Sequence, residues 1–410
     1  MKKRFNGIHV LVLALCGVAL GVVMTWTAFS ARLVAVSAGE TGDADGIYGA
    51  YSAAAYKTAE VMACVDYYFV EDVDLDELAD GAAEGIIEAT GDIWSYYVPA
   101  EDMDTYNEYS ENTYVGVGVT IYADEEYPEG FVVEEVIRGG PAGEAGVQPL
   151  DVLTQVEGQS VTELGMTETK NLVRGEAGTD ITLTLEREGE PYTVTLTRAK
   201  VEEIITIGEL LEGSIGLVTI DNFSEHSAEQ TMAVIADLME QGAEALIFDV
   251  RFNPGGYREE LVEILDLLLP EGVLFRSISY NGKEEIDTSD AGFLDLPMVV
   301  LVNEDSYSAA EFFAACLQEY GAAQVVGMPT CGKGYFQQTI PLSDGSALNL
   351  STGTYYLPSG KSLKDVGITP DVEIDLEQEQ YIELYRGVLS HGEDAQLQAA
   401  LDILKQQSAD

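Results

Sequence analysis

The chain has 410 residues, with 20 Lys and Arg against 72 Asp and Glu, for a formal net charge of −52. A surface this acidic repels phosphate backbones, which argues against any nucleic-acid partner and against strongly acidic substrates. The length suffices for two or three domains, and a hydrophobic fraction of 46% fits a folded chain rather than a disordered one.

The N-terminus departs from that acidity. Lys2, Lys3 and Arg4 precede an apolar run from Ile8 to about Phe29. About twenty apolar residues span a bilayer as a helix, and the basic end stays cytoplasmic. Residues 1–32 therefore read as a basic end and a membrane anchor, with the rest of the chain on the extracytoplasmic side of the cell membrane. A signal cleaved near Ala28-Phe29-Ser30 is the alternative, which would make the protein secreted. Leu15 before Cys16 is too large for a lipobox, against lipidation.

Residues 33–46 are small and polar and read as a linker, with Gly39, Gly42 and Gly46 among them. Residues 47–112 read as a helical cap. Val61, Cys64, Val65 and Tyr68 keep helical spacing, as do Leu78, Ala82, Ile86 and Ile87. Residues 113–200 change to short strands and turns. "YVGVGVTIY" alternates as one strand, "TETKNLVRG" reads as a helix, and "DITLTLEREGEPYTVTLTRA" as a hairpin around Gly189.

From residue 201 to 375 apolar strands alternate with helices: "GSIGLVTIDNF", "AEQTMAVIADLMEQG", "ALIFDVR", "REELVEILDLLL", "LPMVVLVN" and "SAAEFFAACLQEYG". That pattern predicts an α/β core with a mostly parallel sheet, in an α/β (α+β overall) multidomain protein. Residues 376–410 read as terminal helices.

Chemistry has few candidates. Past the anchor the cysteines are Cys64, Cys316 and Cys331, too few for a disulfide framework and without metal-ligand spacing. Only His226 and His391 remain outside the apolar run, so a histidine-based mechanism is nearly excluded. Two strand ends stand out. In "FDVRFNPGGYREE", Gly255 and Gly256 could aim backbone N–H groups into a crevice, although such turns often only close a connection. In "MVVLVNEDSYSAAEFF", Ser306 or Ser308 opens a helix, either as an N-cap or as a nucleophile favoured by the helix N-terminus. The partner base would be Lys333 in "MPTCGKGYFQQT". It has no acid nearby in sequence, and it must lose its proton to act. Gln337 could orient its amine.

Together these segments resemble the C-terminal processing peptidases, or tail-specific proteases, over about Tyr48 to Leu376. That family has a nucleophile segment close to S-A-S-A-S-E and a lysine segment T-F-G-K-G-x-x-Q. Here they read Ser306-Tyr307-Ser308-Ala309-Ala310-Glu311 and Thr330-Cys331-Gly332-Lys333-Gly334-Tyr335-Phe336-Gln337. "DVRFNPGG", "GDIWSYYVP" and "YYLPSGKSLKDVGITPDVEI" match further family segments. The resemblance implies Ser308 as nucleophile, Lys333 as base and Gln337 as its positioning residue, with Ala309 and Gly255 or Gly256 forming an oxyanion hole. It implies a PDZ domain over residues 113–200, where Val115, Gly116, Val117 and Gly118 would bind a peptide's terminal carboxylate. It also implies a peptidase core over residues 201–375 and no metal or organic cofactor. The expected function is a serine endopeptidase cleaving exported proteins near their C-termini, and the expected partners are protein or peptide substrates with free C-termini. A homo-oligomer is left open. A catalytically silent peptide-binding scaffold and an esterase are the alternatives. Three departures stand out: Tyr307 and Cys331 where the family has a small and an aromatic residue, and Leu150 where a glycine usually precedes Asp151.

Overall fold

The structure, a computed structural model, describes residues 44–407 except 125, 126, 138 and 188. The expected anchor and most of the linker lie outside the described residues. Among the described residues, no helix is long and apolar enough to cross a membrane. The chain divides into two compact units at Thr90 and Gly91.

Among the described residues, the first unit holds the helices Ala44–Tyr68 and Leu75–Glu88. Asp74 starts the second of them, its carboxylate accepting the Asp76 N–H at 2.8 Å, and Asp76 and Glu77 favour the positive end of the helix.

The helical reading of 47–112 does not continue through the second unit. The Asp92 carboxylate accepts the Trp94 N–H at 3.3 Å and the Ser95 hydroxyl at 2.5 Å. Such a side-chain turn competes with helix, and the chain enters a strand, Tyr96–Val98, before the short helix Met103–Ser110.

"YVGVGVTIY" is also not one strand. Gly118 takes a positive φ of 78° and divides it. Thr113–Gly116 pairs with Ala199–Glu202 in a two-stranded ribbon, while Val119–Tyr122 becomes the edge of a separate six-stranded sheet. That sheet continues through Phe131–Val136, Val152–Val156, Asp180–Arg187 and Glu190–Thr197, with Gln159–Ser160 off Val152–Val156. Its last two long strands are a hairpin across Gly189, and the helix Met166–Val173 belongs to the same domain. Leu150, in the position expected of a glycine, has a φ of 71° and is mostly exposed.

The core sheet runs in the order Thr206–Leu211, Ile215–Ile220, Ala245–Asp249, Met298–Val302, Ala323–Gly327, Val372–Glu373. Only its first pair is antiparallel. Side chains on a strand alternate between faces, and the core divides accordingly. Val218, Ile220, Leu246, Phe248, Val300 and Val302 pack with the helices Ser227–Gln241, Arg258–Leu268 and Ala309–Tyr320. Ile215, Leu217, Ile247, Val299 and Leu301 face Leu397, Ala400, Leu401 and Leu404 of the helix Ala395–Gln407.

A second, antiparallel sheet was not expected from the sequence. Its long strand Ala347–Tyr356 pairs with Tyr335–Pro341, Gly272–Ser279 and Tyr96–Val98, and Glu284–Ser289 closes one edge. Ala309–Tyr320 runs through the shared interior, and every residue from Ala309 to Leu317 is buried. Helices buried on all sides are apolar nearly all round, and within this buried stretch Glu311 is the one charged residue.

Candidate active site

The strand Met298–Val302 ends in a turn that settles which serine is available. The Ser306 hydroxyl is fully buried, donating to the Val250 carbonyl at 2.7 Å and accepting the Asn303 N–H at 3.0 Å. Asn303 accepts the Phe252 N–H at 2.9 Å, and the Tyr307 N–H donates to the Asn253 carbonyl at 3.1 Å. These bonds tie the turns after two parallel strands together, and Ser306 is a structural member of them. Ser308 instead faces a cleft of about 870 Å³ that it shares with Lys333, Gln337, Tyr355, Trp94, Tyr307, Gly255 and Gly256.

Ser308 occupies the N-cap of Ala309–Tyr320 with φ 59° and ψ −120°. A non-glycine residue pays on the order of 1–3 kcal/mol for such a conformation and keeps it only where its surroundings impose it. Gly255 is part of that imposition. A methyl group there would lie 2.7 Å from Ser308 Cβ and 2.8 Å from the Ala309 nitrogen. The turn therefore requires glycine for close approach as well as for its φ of 90°.

The expected oxyanion donors separate on inspection. The Gly255 N–H is taken by the Asn253 side-chain oxygen at 2.8 Å, so it is not free for a ligand. The Gly256 N–H has no hydrogen-bond partner among the described residues, and the Ala309 N–H opens the helix in its first turn.

Lys333 lies in a turn whose glycines have a packing reason. A Cβ at Gly332 would meet the Val366 nitrogen at 2.7 Å, and one at Gly334 would meet Lys364 Cβ at 2.4 Å. The Gly332 carbonyl accepts the Asp365 N–H at 2.8 Å, fastening the turn to that segment. The Tyr355 hydroxyl donates to the Lys333 carbonyl. Burial lowers the Lys333 pKa to about 8, although Cys331, Asp92 and Glu311 act the other way. The expectation of a lysine remote from carboxylates thus holds only along the sequence. In space, Asp92 and Glu311 approach it.

The amine itself rests on aromatic faces, 4.8 Å from the Trp94 ring centroid and 5.8 Å from that of Tyr307. Among the described residues it makes no hydrogen bond to Ser308. The Gln337 amide donates to the Ser351 hydroxyl at 2.9 Å and to the Tyr335 carbonyl at 3.3 Å, rather than meeting Lys333.

Glu311 carries more of the site than its use as a sequence landmark suggested. Its fully buried carboxylate accepts the N–H groups of Ser308 at 3.2 Å, Gly332 at 2.7 Å and Lys333 at 2.9 Å, and the Thr330 hydroxyl. It joins the serine turn to the lysine turn. Burial still raises its pKa, with Thr330 and the three N–H groups opposing. The serine-to-glutamate spacing of a capping box was the available signal. Trp94 and Tyr355, also missed as site residues, carry no such local pattern.

In the β-rich domain, Val115 and Gly116 belong to the ribbon opposite Lys200 and Ala199. The Val117 and Gly118 carbonyls accept the N–H groups of Ala142 and Ile137. The N–H groups of Gly118 and Val119 face the Tyr114 hydroxyl, whose pKa burial pushes up to about 12. Val119–Tyr122, one of the two edge strands of the six-stranded sheet, begins just past the four residues singled out from the sequence.

Comparison with known proteins places these features in a family. The model for peptidase family S41 matches residues 214–374, and that for a PDZ domain matches residues 132–187. The protein named "Probable CtpA-like serine protease" of Staphylococcus aureus (strain N315) is 31% identical over 315 residues, covering 76% of this chain and 62% of that protein. "Carboxy-terminal processing protease CtpA" of Bacillus subtilis (strain 168) is 32% identical over 314 residues, covering 76% of this chain and 66% of that protein. The chain thus spans somewhat under two thirds of the length of these relatives. Among solved structures, the photosystem II D1 C-terminal processing protease is 25% identical, with 78% of this chain and 92% of that chain covered and a TM-score of 0.45. With the S41 match spanning both the Ser308 and Lys333 turns and a PDZ match before it, the chain belongs to peptidase family S41.

Proposed function

We propose that this protein is a serine endopeptidase that cleaves proteins near their C-termini, with Ser308 as nucleophile and Lys333 as general base. The observation that carries this reading is the pairing in one cleft of a strained serine at a helix N-terminus with a half-buried lysine whose pKa falls to about 8.

In the proposed reaction, Ser308 Oγ attacks the scissile carbonyl carbon as neutral Lys333 Nζ takes the hydroxyl proton. The N–H groups of Ala309 and Gly256 receive the developing oxyanion, helped by the positive end of the helix. Lys333 returns the proton to the leaving amine, leaving an ester on Ser308. A water molecule, deprotonated by Lys333, then releases the new carboxylate and restores the hydroxyl. Gln337 enters this scheme only if its amide leaves Ser351.

The PDZ domain would hold the substrate tail as an added strand along Val119–Tyr122, with the terminal carboxylate at the Gly118 and Val119 N–H groups. Anchoring at the cell membrane with an extracytoplasmic catalytic part belongs to the same proposal, and rests on the basic residues and apolar run at the N-terminus. Retention in a carbonate-washed membrane fraction, lost on deleting residues 1–32, tests that part.

The catalytic reading is tested with casein and with a peptide ending in a free apolar tail. The native protein is expected to cut both and to be labelled by a fluorophosphonate. Ser308→Ala should do neither. Equal cleavage by the two proteins would remove Ser308 as nucleophile, and cleavage of esters alone would favour the esterase alternative.

A further inference from the structure

The aromatic surroundings of Lys333 go beyond what a general base needs. The Trp94 and Tyr307 rings lie 5.6 Å apart at 39°, and the amine sits over both. Neither ring is placed loosely. Trp94 follows the Asp92 turn, in which the Ser95 hydroxyl bonds Asp92 and accepts the Ser351 N–H at 2.9 Å, fastening the turn to the antiparallel sheet. Tyr307 immediately precedes Ser308, with its N–H held by Asn253.

The polar groups near the amine are otherwise occupied. The Glu311 oxygens point at backbone N–H groups and the Thr330 hydroxyl, and those of Asp92 at Trp94 N–H and Ser95. The Tyr355 hydroxyl bonds the Lys333 carbonyl, and the Cys331 thiol lies 3.8 Å from a Glu311 oxygen. Among the described residues the amine forms no ion pair and no hydrogen bond; the two ring faces are its direct contacts, while Cys331, Asp92 and Glu311 favour the charged form from farther off. A ring quadrupole attracts an ammonium and does nothing comparable for a neutral amine.

We propose that Trp94 and Tyr307 form an aromatic box that parks the Lys333 ammonium away from Ser308, and that substrate entering the cleft releases the amine to the nucleophile. This rests on the reading of Lys333 as general base. Both rings line the cleft beside Ser308, so an extended peptide reaching the serine must pass against them. Trp94 and Tyr307 are then positioning residues, acting on the reaction through Lys333. The box favours the charged, unreactive form in the free enzyme and loses its hold in the substrate complex.

The chain contains two tryptophans, Trp26 and Trp94, which permits a test that leaves shape and burial intact. In a Trp26→Phe background, biosynthetic incorporation of mono-, di- and trifluorotryptophan weakens the ring quadrupole at Trp94 alone. The pH dependence of kcat/KM reports groups in the free enzyme, and that of kcat reports those in the complex. The expected result is a kcat/KM limb that moves stepwise to lower pH, by about half a unit across the series, while the kcat limb stays fixed. Tyr307→Phe, which keeps the ring, should leave both limbs nearly unchanged, and Tyr307→Leu should move only that of kcat/KM. A kcat/KM limb unmoved by fluorination, or both limbs moving equally, would overturn the box. Lys333→Met retaining native activity would instead overturn the base assignment, so the two failures are distinguishable.

Discussion

The Glu311 carboxylate accepts the Lys333 backbone N–H at 2.9 Å and, on the same oxygen, that of Ser308 at 3.2 Å. One buried side chain thus fixes the separation between the two turns that must cooperate. Glu311→Gln substitutes an amide NH₂ for one oxygen and sets it against donors, leaving buried N–H groups unpaired. The loss is expected to be on the order of 2–4 kcal/mol in stability. Displacing the turns by even an ångström should cost about a hundredfold in kcat. Thermal melts and peptide cleavage by the same preparation check both.

Lys333 gives a pH dependence with a definite sign. With a pKa near 8, only about a tenth of the molecules carry the neutral amine at pH 7. Cleavage should therefore rise roughly tenfold per pH unit below the limb and level off above about pH 8. Lys333→Arg, which stays protonated, should be inactive throughout. A steady-state profile between pH 6 and 10 reads this directly.

The same depression has a stability cost, since folding must hold a desolvated ammonium. The folded pKa lies below the unfolded value of 10.5. The cost is therefore fully present below about pH 8, shrinks between pH 8 and 10.5, and is gone above. Lys333→Met should stabilise the fold at pH 7, on the order of 1–3 kcal/mol. Urea midpoints at pH 7 and pH 10.5 should show that advantage fading at the higher pH.

The sequence exposed the core sheet because fully buried parallel strands, such as Met298–Val302, are continuous apolar runs. It did not expose the antiparallel sheet. Glu284–Ser289 alternates exposed with half-buried positions and leaves its one apolar residue, Ile286, exposed, and Tyr335–Pro341 is mostly exposed, so neither carries an apolar signature. Ser308 and Lys333 were legible through spacing and glycine context. What surrounds the amine was not, because Trp94 reaches it from a distant part of the chain. The same limit applied to Gly255, whose N–H is consumed by Asn253, a pairing that no local pattern announces.

Tyr114 offers a test of the peptide-binding edge. Its hydroxyl faces the N–H groups of Gly118 and Val119, where a terminal carboxylate would dock under the proposed function, and Arg174 lies 5.1 Å from its ring centroid. Tyr114→Phe keeps the ring and frees those donors. The net worth of one hydrogen bond, about 0.5–1.5 kcal/mol, corresponds to roughly a three- to tenfold gain in affinity for a peptide with a free C-terminus. An amidated peptide should gain nothing. Fluorescence anisotropy with the two peptides separates these outcomes.

A buried ion cluster beneath the catalytic turns supplies the last prediction. Arg251 follows the strand Ala245–Asp249 and leads into the Gly255 turn. Its guanidinium meets Asp249 at 2.6 Å and Asp394 at 2.8 Å, and donates to the Gln396 side-chain oxygen at 2.9 Å. Asp394 also caps the helix Ala395–Gln407, accepting the N–H groups of Gln396 at 3.1 Å and Leu397 at 3.0 Å. Arg251 and Asp394 are each only 3% exposed, so water cannot compensate for a lost partner. Asp394→Ala removes both a buried countercharge and a helix cap, and should cost about 3–5 kcal/mol. Asp394→Asn retains a capping oxygen and should cost less. Since Arg251 leads into the turn whose Gly255 packs against Ser308, fluorophosphonate labelling should weaken in the same order. Urea unfolding and labelling rates across the two variants test whether the helix after the core and the nucleophile turn are held by one set of charges.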